Sequence, residues 1–271
     1  PGWFTQFRIF LERDMKSKLA NRQYMLLTVL EAPLLAFMLS YIIRYIADPA
    51  SDTYIFRENE NLPIYIFMLL IVAVFLGLTL SAEEIFRDRK ILKREHFLNL
   101  SRSGYLFSKI SLLFAISAMQ AFLFVLIANQ MIELKNMGLY YWFAFFTTAA
   151  CANMLGLNIS ATFNSAITIY IIIPLLIIPM MILSGAMFSF DKINRNISSI
   201  DKVPFLAELM PTRWSYEALM VNQFKNNYFH VNFYDLDKDI VNTDFKHAWY
   251  LPELEERLNI LEEEYLRSGN I

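Results

Sequence analysis

Five apolar runs dominate the chain, over residues 24–46, 64–82, 106–131, 141–160 and 165–190. Each is about as long as the roughly 20 residues a helix needs to cross the hydrocarbon core of a bilayer. The runs are continuous, whereas a lipid-facing barrel would place a polar residue at every second position. The pattern predicts an all-α integral membrane protein, a polytopic helical bundle with five spans across 24–190 and with its backbone polar groups satisfied inside helices. Ahead of the first run, Phe4, Phe7, Leu11, Met15 and Leu19 recur at helical spacing, with Arg8, Lys16 and Arg22 among the intervening positions. That pattern predicts an amphipathic helix in the membrane interface, over 1–23.

Residues 191–271 read differently. The stretch from Val203 to Phe224 is semi-apolar, but Pro204, Glu208, Pro211, Arg213 and Glu217 interrupt it, which is too polar for a span. A re-entrant or interfacial helix is expected there, its polar groups met by protein or water. Residues 226–250 are polar and aromatic without a clear period. Residues 252–267 are acidic, with Leu254, Leu258, Leu261 and Leu266 loosely at helical spacing, and a short outer domain is expected.

Composition supports the membrane reading, with 56% hydrophobic and 15% aromatic residues and a mean hydropathy of +0.36. The net charge of -2 supplies no global basic field, which argues against a nucleic-acid partner. Cys151 is the single cysteine, so no intrachain disulfide can form. The chain opens at Pro1 without a basic-then-apolar leader, so no signal peptide is read and a piece of a longer polypeptide is expected.

Local charge sets the expected orientation. Arg8, Arg13, Lys16, Lys18 and Arg22 precede the first span, and Arg87, Arg89, Lys90, Lys93, Arg94, Arg102 and Lys109 fall in or beside the second connection. The opposite connections offer Arg57 and Lys135, with Arg44 at a helix end. The positive-inside rule then puts the amino terminus and segment 83–105 in the cytoplasm, with the tail outside.

The chain lacks a GxxxxGK[ST] loop, an HExxH helix, a CxxC pair and a GxSxG elbow, so no catalytic residues and no metal are expected in it. His96, His230 and His247 are isolated, and the topology sets the first apart from the other two. Segment 83–105 is more informative. As a helix it puts Arg87, Lys90 and Arg94 on one face, with Ile85 and Leu92 roughly opposite. Such cations either fix topology and touch anionic lipid, or meet another protein.

Here the chain resembles the membrane domain of G-subfamily ABC exporters, the white and multidrug-pump group. An amphipathic helix, then two spans, then Glu83 and RKILKREHFLNLSRSGYLFSK follow the family's order, and Arg94-Glu95 and Tyr105 resemble its Arg-Glu and later Tyr. MMILSGAMFSFDKI resembles the family's fifth span ending in Ser-Gly, and LMPTRWSYEALMVNQF is similar to its later pattern of Pro, Arg, Tyr and Glu-Ala-Leu leading to Asn-x-Phe. The resemblance runs from Phe4 to Phe224. It implies a bacterial inner-membrane half-transporter that works as a homodimer and exports its substrate. ATP and Mg would bind a nucleotide-binding domain, fused upstream or separate, and Glu83, Arg87, Lys90, Arg94 and Glu95 would contact that domain. A sixth span, which the family has, is expected beyond Ile271.

The resemblance also nominates a transport path through Phe75, Ile178 and Met181, with Ala186 and Met187 where relatives place an apolar gate. The same residues fit plain helix packing. Pro174 and Pro179 would kink the fifth span. Glu31 is the one acidic residue deep in a span, beside Pro33, and a carboxylate there needs a partner or a proton. Asn153 is one candidate partner; a proton-linked role is the sharper reading. Two rivals stand beside the exporter: a membrane scaffold or receptor whose outer tail binds a partner, and an exporter of glycan or lipid-linked polymer.

Overall fold

The computed structural model describes residues 2–46, 54–94, 100–188, 190–192, 203–228 and 230–269, and among these there are helices and no strands. Helix α1 (Trp3–Ala20) is followed by α2 (Arg22–Ile43), α3 (Leu62–Ser81), the short α4 (Glu84–Arg94), α5 (Arg102–Ile132), α6 (Gly138–Thr162) and α7 (Ala166–Ile182). Helices α8 (Phe205–Glu208) and α9 (Pro211–Asn226) come next, then α10 (Tyr234–Phe245) and α11 (Leu251–Ser268). Two compact units result, Pro1–Gln223 and Phe224–Ile271.

Helices Arg22–Ile43, Leu62–Arg94, Arg102–Ile132 and Gly138–Thr162 are long and apolar enough to cross a membrane; the second counts α3 and α4 together. The predicted fifth span is a shorter apolar helix, ending at Ile182 instead of 190. The stop has a local cause. The Ser184 hydroxyl bonds the Met181 carbonyl at 2.7 Å and accepts the Ala186 N–H at 3.2 Å, and Gly185 takes the left-handed conformation at φ 80°. That closes a turn which a side chain at 185 would resist. The helix itself continues through both Pro174 and Pro179.

In the first unit α3 is the central helix. Its Tyr65, Ile66, Leu69, Leu70 and Ala73 are buried against Ala32 and Ala36 of α2, Phe124 and Ala128 of α5, and Tyr141, Phe145 and Ala149 of α6. Helices α3 and α6 approach closely because small residues meet. A Cβ added at Gly77 would lie 2.5 Å from the Ala149 carbonyl oxygen, and one at Gly156 would collide with the Ser81 hydroxyl. Backbone contact of this kind replaces the hydrophobic drive that lipid cannot supply. Polar side chains join the helices further: Asn153 to Ser117 at 2.8 Å, Gln120 to the Thr28 carbonyl at 3.0 Å, and Tyr65 to Asn129 at 3.1 Å. Outside this core the surface is apolar. Leu26, Leu30, Leu34, Phe37 and Tyr41 of α2, and Ile167, Ile171, Leu175 and Ile178 of α7, are all exposed, the inverse of a water-facing helix.

The stretch 203–224 is two helices, divided at Pro211, which opens α9 at a position where its missing N–H costs nothing. Protein meets several polar groups of α9, although one buried Arg213 guanidinium nitrogen has no hydrogen-bond partner among the described residues. The Thr212 hydroxyl donates to the Met180 carbonyl (2.9 Å), Ser215 meets Thr148 (2.7 Å), and the Tyr141 hydroxyl donates to Gln223 (2.9 Å). In the second unit, residues 234–268 are helical throughout, with a π-helical step at Lys246–Tyr250. The leucines loosely at helical spacing in 252–267 lie on α11, and no clear period marks α10, whose start is favoured by Asp235 and Asp237 at its amino-terminal end.

Candidate functional site

The end of the bundle that carries α4 holds the densest polar chemistry. Two residues, Ala82 and Glu83, separate helix α4 from the end of α3. Its first N–H groups are capped from another element: the Ser160 hydroxyl of α6 accepts the Ile85 and Phe86 N–H groups at 3.0 and 2.9 Å. The exchange is mutual. The Arg89 guanidinium donates to the Ser160 carbonyl at 3.1 Å and also to Ala161 and Asn164, satisfying the carbonyl end of α6. Orphan groups at two helix ends thus complete each other.

From its first two turns α4 directs two carboxylates inward. Glu84 and Asp88, four residues apart, meet the Lys109 ammonium of α5 at 3.1 and 2.8 Å, and Asp14 of α1 reaches the same ammonium at 2.8 Å. The Lys109 side chain is 5% exposed. Lys18 of α1 pairs with the other Glu84 oxygen and hydrogen-bonds Tyr24 at 3.1 Å, while the Tyr105 hydroxyl donates to Asp88 at 3.0 Å. Three carboxylates and two ammonium groups therefore lock α1, α4 and α5 together. Among the described residues no group of three or more His, Cys, Asp or Glu is arranged to hold a metal ion, and in this cluster the Lys109 ammonium occupies the place of a cation. The Lys16–Glu12 pair on the outer face of α1 is a useful contrast. Lys16, 2.7 Å away, holds the exposed Glu12 carboxyl below its usual range, and such a pair adds little to stability.

With its acids turned inward, α4 presents Arg87, Lys90, Lys93 and Arg94 outward, all exposed. The expected cationic face of Arg87, Lys90 and Arg94 thus exists on one helix. Glu83 is half-buried in the turn before α4 and lines a cleft together with Tyr170 of α7. Glu95, with His96, lies outside the described residues. Sequence reasoning missed Asp14, Glu84, Asp88 and Arg89 as site residues, and took Lys109 only as an orientation signal.

The other expected residues scatter. Phe75 and Ile178 are exposed on α3 and α7, which pack together through Val74, Leu78, Ile169 and Ile173. Met181 lies in the last turn of α7. Ala186 and Met187 are not in a span but in the turn beyond α7, because Ser184 and Gly185 end the helix. Glu31 is half-buried and is not bonded to Asn153, whose amide goes to Ser117. Instead Glu31 lines a cleft of about 230 Å³ with Tyr24, Glu83, Arg87 and Tyr170. For α1 the protein-facing positions are Phe7, Phe10, Asp14 and Lys18, while Phe4, Met15 and Leu19 remain exposed.

Long apolar helices with lipid-like surfaces, polar groups satisfied between helices and a charged helix at one end define a polytopic α-helical membrane protein. The chain belongs to the ABC-2 type transporter family, whose membrane-domain model matches residues 5–224. It is accordingly the transmembrane component of an ABC transporter, a family whose permease domains typically work with an ATPase partner. A search of the curated proteins found no match.

Proposed function

We propose that the chain is the membrane half of a G-subfamily-type exporter of a bacterial inner membrane, working as a homodimer with its amino terminus and α4 in the cytoplasm. The cargo is hydrophobic or amphipathic and moves outward by alternating access. Helix α4 is the element that receives the ATPase stroke, through its exposed Arg87, Lys90 and Arg94. The observation that carries this reading is the division of α4 into two faces: an outward row of cations, and an inward side fixed to α1, α5 and α6 by buried ion pairs and mutual capping. A helix serving only to set topology would have no need of such anchorage. Phe75 and Ile178 are offered as path residues because they sit at open apolar positions of two packed helices, with the half-buried Met181 one turn beyond Ile178, and Glu31 as the acid of a cleft that Arg87 also lines.

The test is ATP hydrolysis in lipid nanodiscs by the protein together with its ATPase, comparing native protein with Arg94→Glu. Substrate-stimulated hydrolysis falls about tenfold, the loss of one charge-assisted contact of roughly 1.4 kcal/mol, while the unfolding temperature holds because Arg94 is exposed. Unchanged stimulation removes α4 as the contact. Transport by Glu31→Gln across a pH series separates a proton-linked role, which changes the profile, from a purely structural one, which does not.

A further inference from the structure

At the end of α5 and α6 away from α4, the two helices line a groove of about 470 Å³, within the range of roughly 300–1,000 Å³ common for small-molecule sites. Phe122, Leu126 and Trp142 form its apolar wall, the first two 56% and 44% exposed. Asn129 also lines it, from a position only 7% exposed. Its carboxamide oxygen accepts the Tyr65 hydroxyl at 3.1 Å, but its Nδ2 has no acceptor at all. A buried donor of this kind is costly unless something supplies an acceptor, and the hydrocarbon facing this wall supplies none.

The mouth of the groove is charged. Glu133 ends α5 in the left-handed conformation at φ 62°, and Lys135 follows two residues later. Both line the groove and both are exposed, and neither forms an ion pair among the described residues. The groove thus offers an apolar wall and one charge of each sign at its mouth, with the unpartnered Asn129 amide sealed behind that wall.

We propose that this groove binds a zwitterionic membrane phospholipid with a primary ammonium, an ethanolamine-type lipid. An acyl chain lies along Phe122, Leu126 and Trp142, the phosphate meets Lys135, and the ammonium donates to Glu133. Charge complementarity selects this occupant. An anionic glycerol headgroup satisfies Lys135 but is repelled by Glu133, and a choline headgroup has no N–H to donate to that carboxylate. The site is independent of transport direction and of ATPase coupling.

Native mass spectrometry of the intact protein, titrated with equimolar ethanolamine, choline and glycerol phospholipids of identical chains, tests it. Native protein retains the ethanolamine lipid about tenfold over choline, a difference of roughly 1.4 kcal/mol. Glu133→Gln brings that ratio to about one, and Lys135→Gln weakens retention of all three lipids; the two altered residues are exposed, so the fold is kept. Equal retention of the three lipids by native protein means ordinary boundary lipid and overturns the proposal. So does an ethanolamine preference that survives Glu133→Gln.

Discussion

The two ends of α5 treat charge in opposite ways. Near its start Lys109 is buried and surrounded by carboxylates from α1 and α4, so that charged groups saturate one another and fix three helices. Just past its end Glu133 and Lys135 are exposed and unpaired with one another, and the amide of Asn129 lacks an acceptor. At that end Tyr54, from the connection between α2 and α3, closes the helix: burial pushes the pKa of its hydroxyl up and so keeps it protonated, and it donates to the Ile132 carbonyl at 3.0 Å. At one end the charges are paired internally; at the other the backbone is closed but the charges of Glu133 and Lys135 stay unpaired among the described residues. The lesson is that a lysine near a span end is not one kind of object; its partners decide whether it is a rivet or a handle.

The comparison breaks first at Lys109. Lys109→Met leaves Asp14, Glu84 and Asp88 facing one another without their shared cation, and stability falls by about 3–5 kcal/mol, the usual cost of removing one partner from a buried ion pair. Thermal unfolding in detergent measures it; a shift no larger than that of Lys16→Ala, which removes an exposed pair, would show that the cluster holds nothing together. Gly77→Ala comes next. Its Cβ meets the Ala149 backbone, so α3 and α6 must part, at about 1–3 kcal/mol by the same assay. Ser160→Ala removes the acceptor for two N–H groups of α4 and costs about 1 kcal/mol, and amide exchange at Ile85 and Phe86 accelerates relative to the centre of α3. The smallest effect has the opposite sign. Glu133→Gly relieves a left-handed residue at the end of α5 and raises stability by roughly 0.5 kcal/mol, although it deletes a charge.

Length and hydropathy made the spans legible, because a bilayer leaves a chain few ways to satisfy its backbone. The edges of α2, α3, α5 and α6 fall close to those read from the sequence, and the cationic face of α4 follows from its 3.6-residue period. The end of α7 was obscured because the apolar run continues through Leu183 to Met187, while a hydroxyl and a glycine end the helix locally. The ion cluster was hidden for a different reason: Asp14 and Lys109 are far apart in sequence and meet only through packing. Two signs of it were present in the chain. Glu84 and Asp88 stand four residues apart on one side of α4, and Lys109 sits about two turns into a long apolar helix.

Mutual capping of α4 and α6 has a consequence for how the protein is made. The acceptor that completes the start of α4 is Ser160, 75 residues after Ile85. At a synthesis rate of about 5–20 residues per second, α4 emerges with an unfinished end and stays so for roughly 4–15 seconds, until α6 has been translated. Insertion of α6 therefore finishes a helix that left the ribosome two spans earlier.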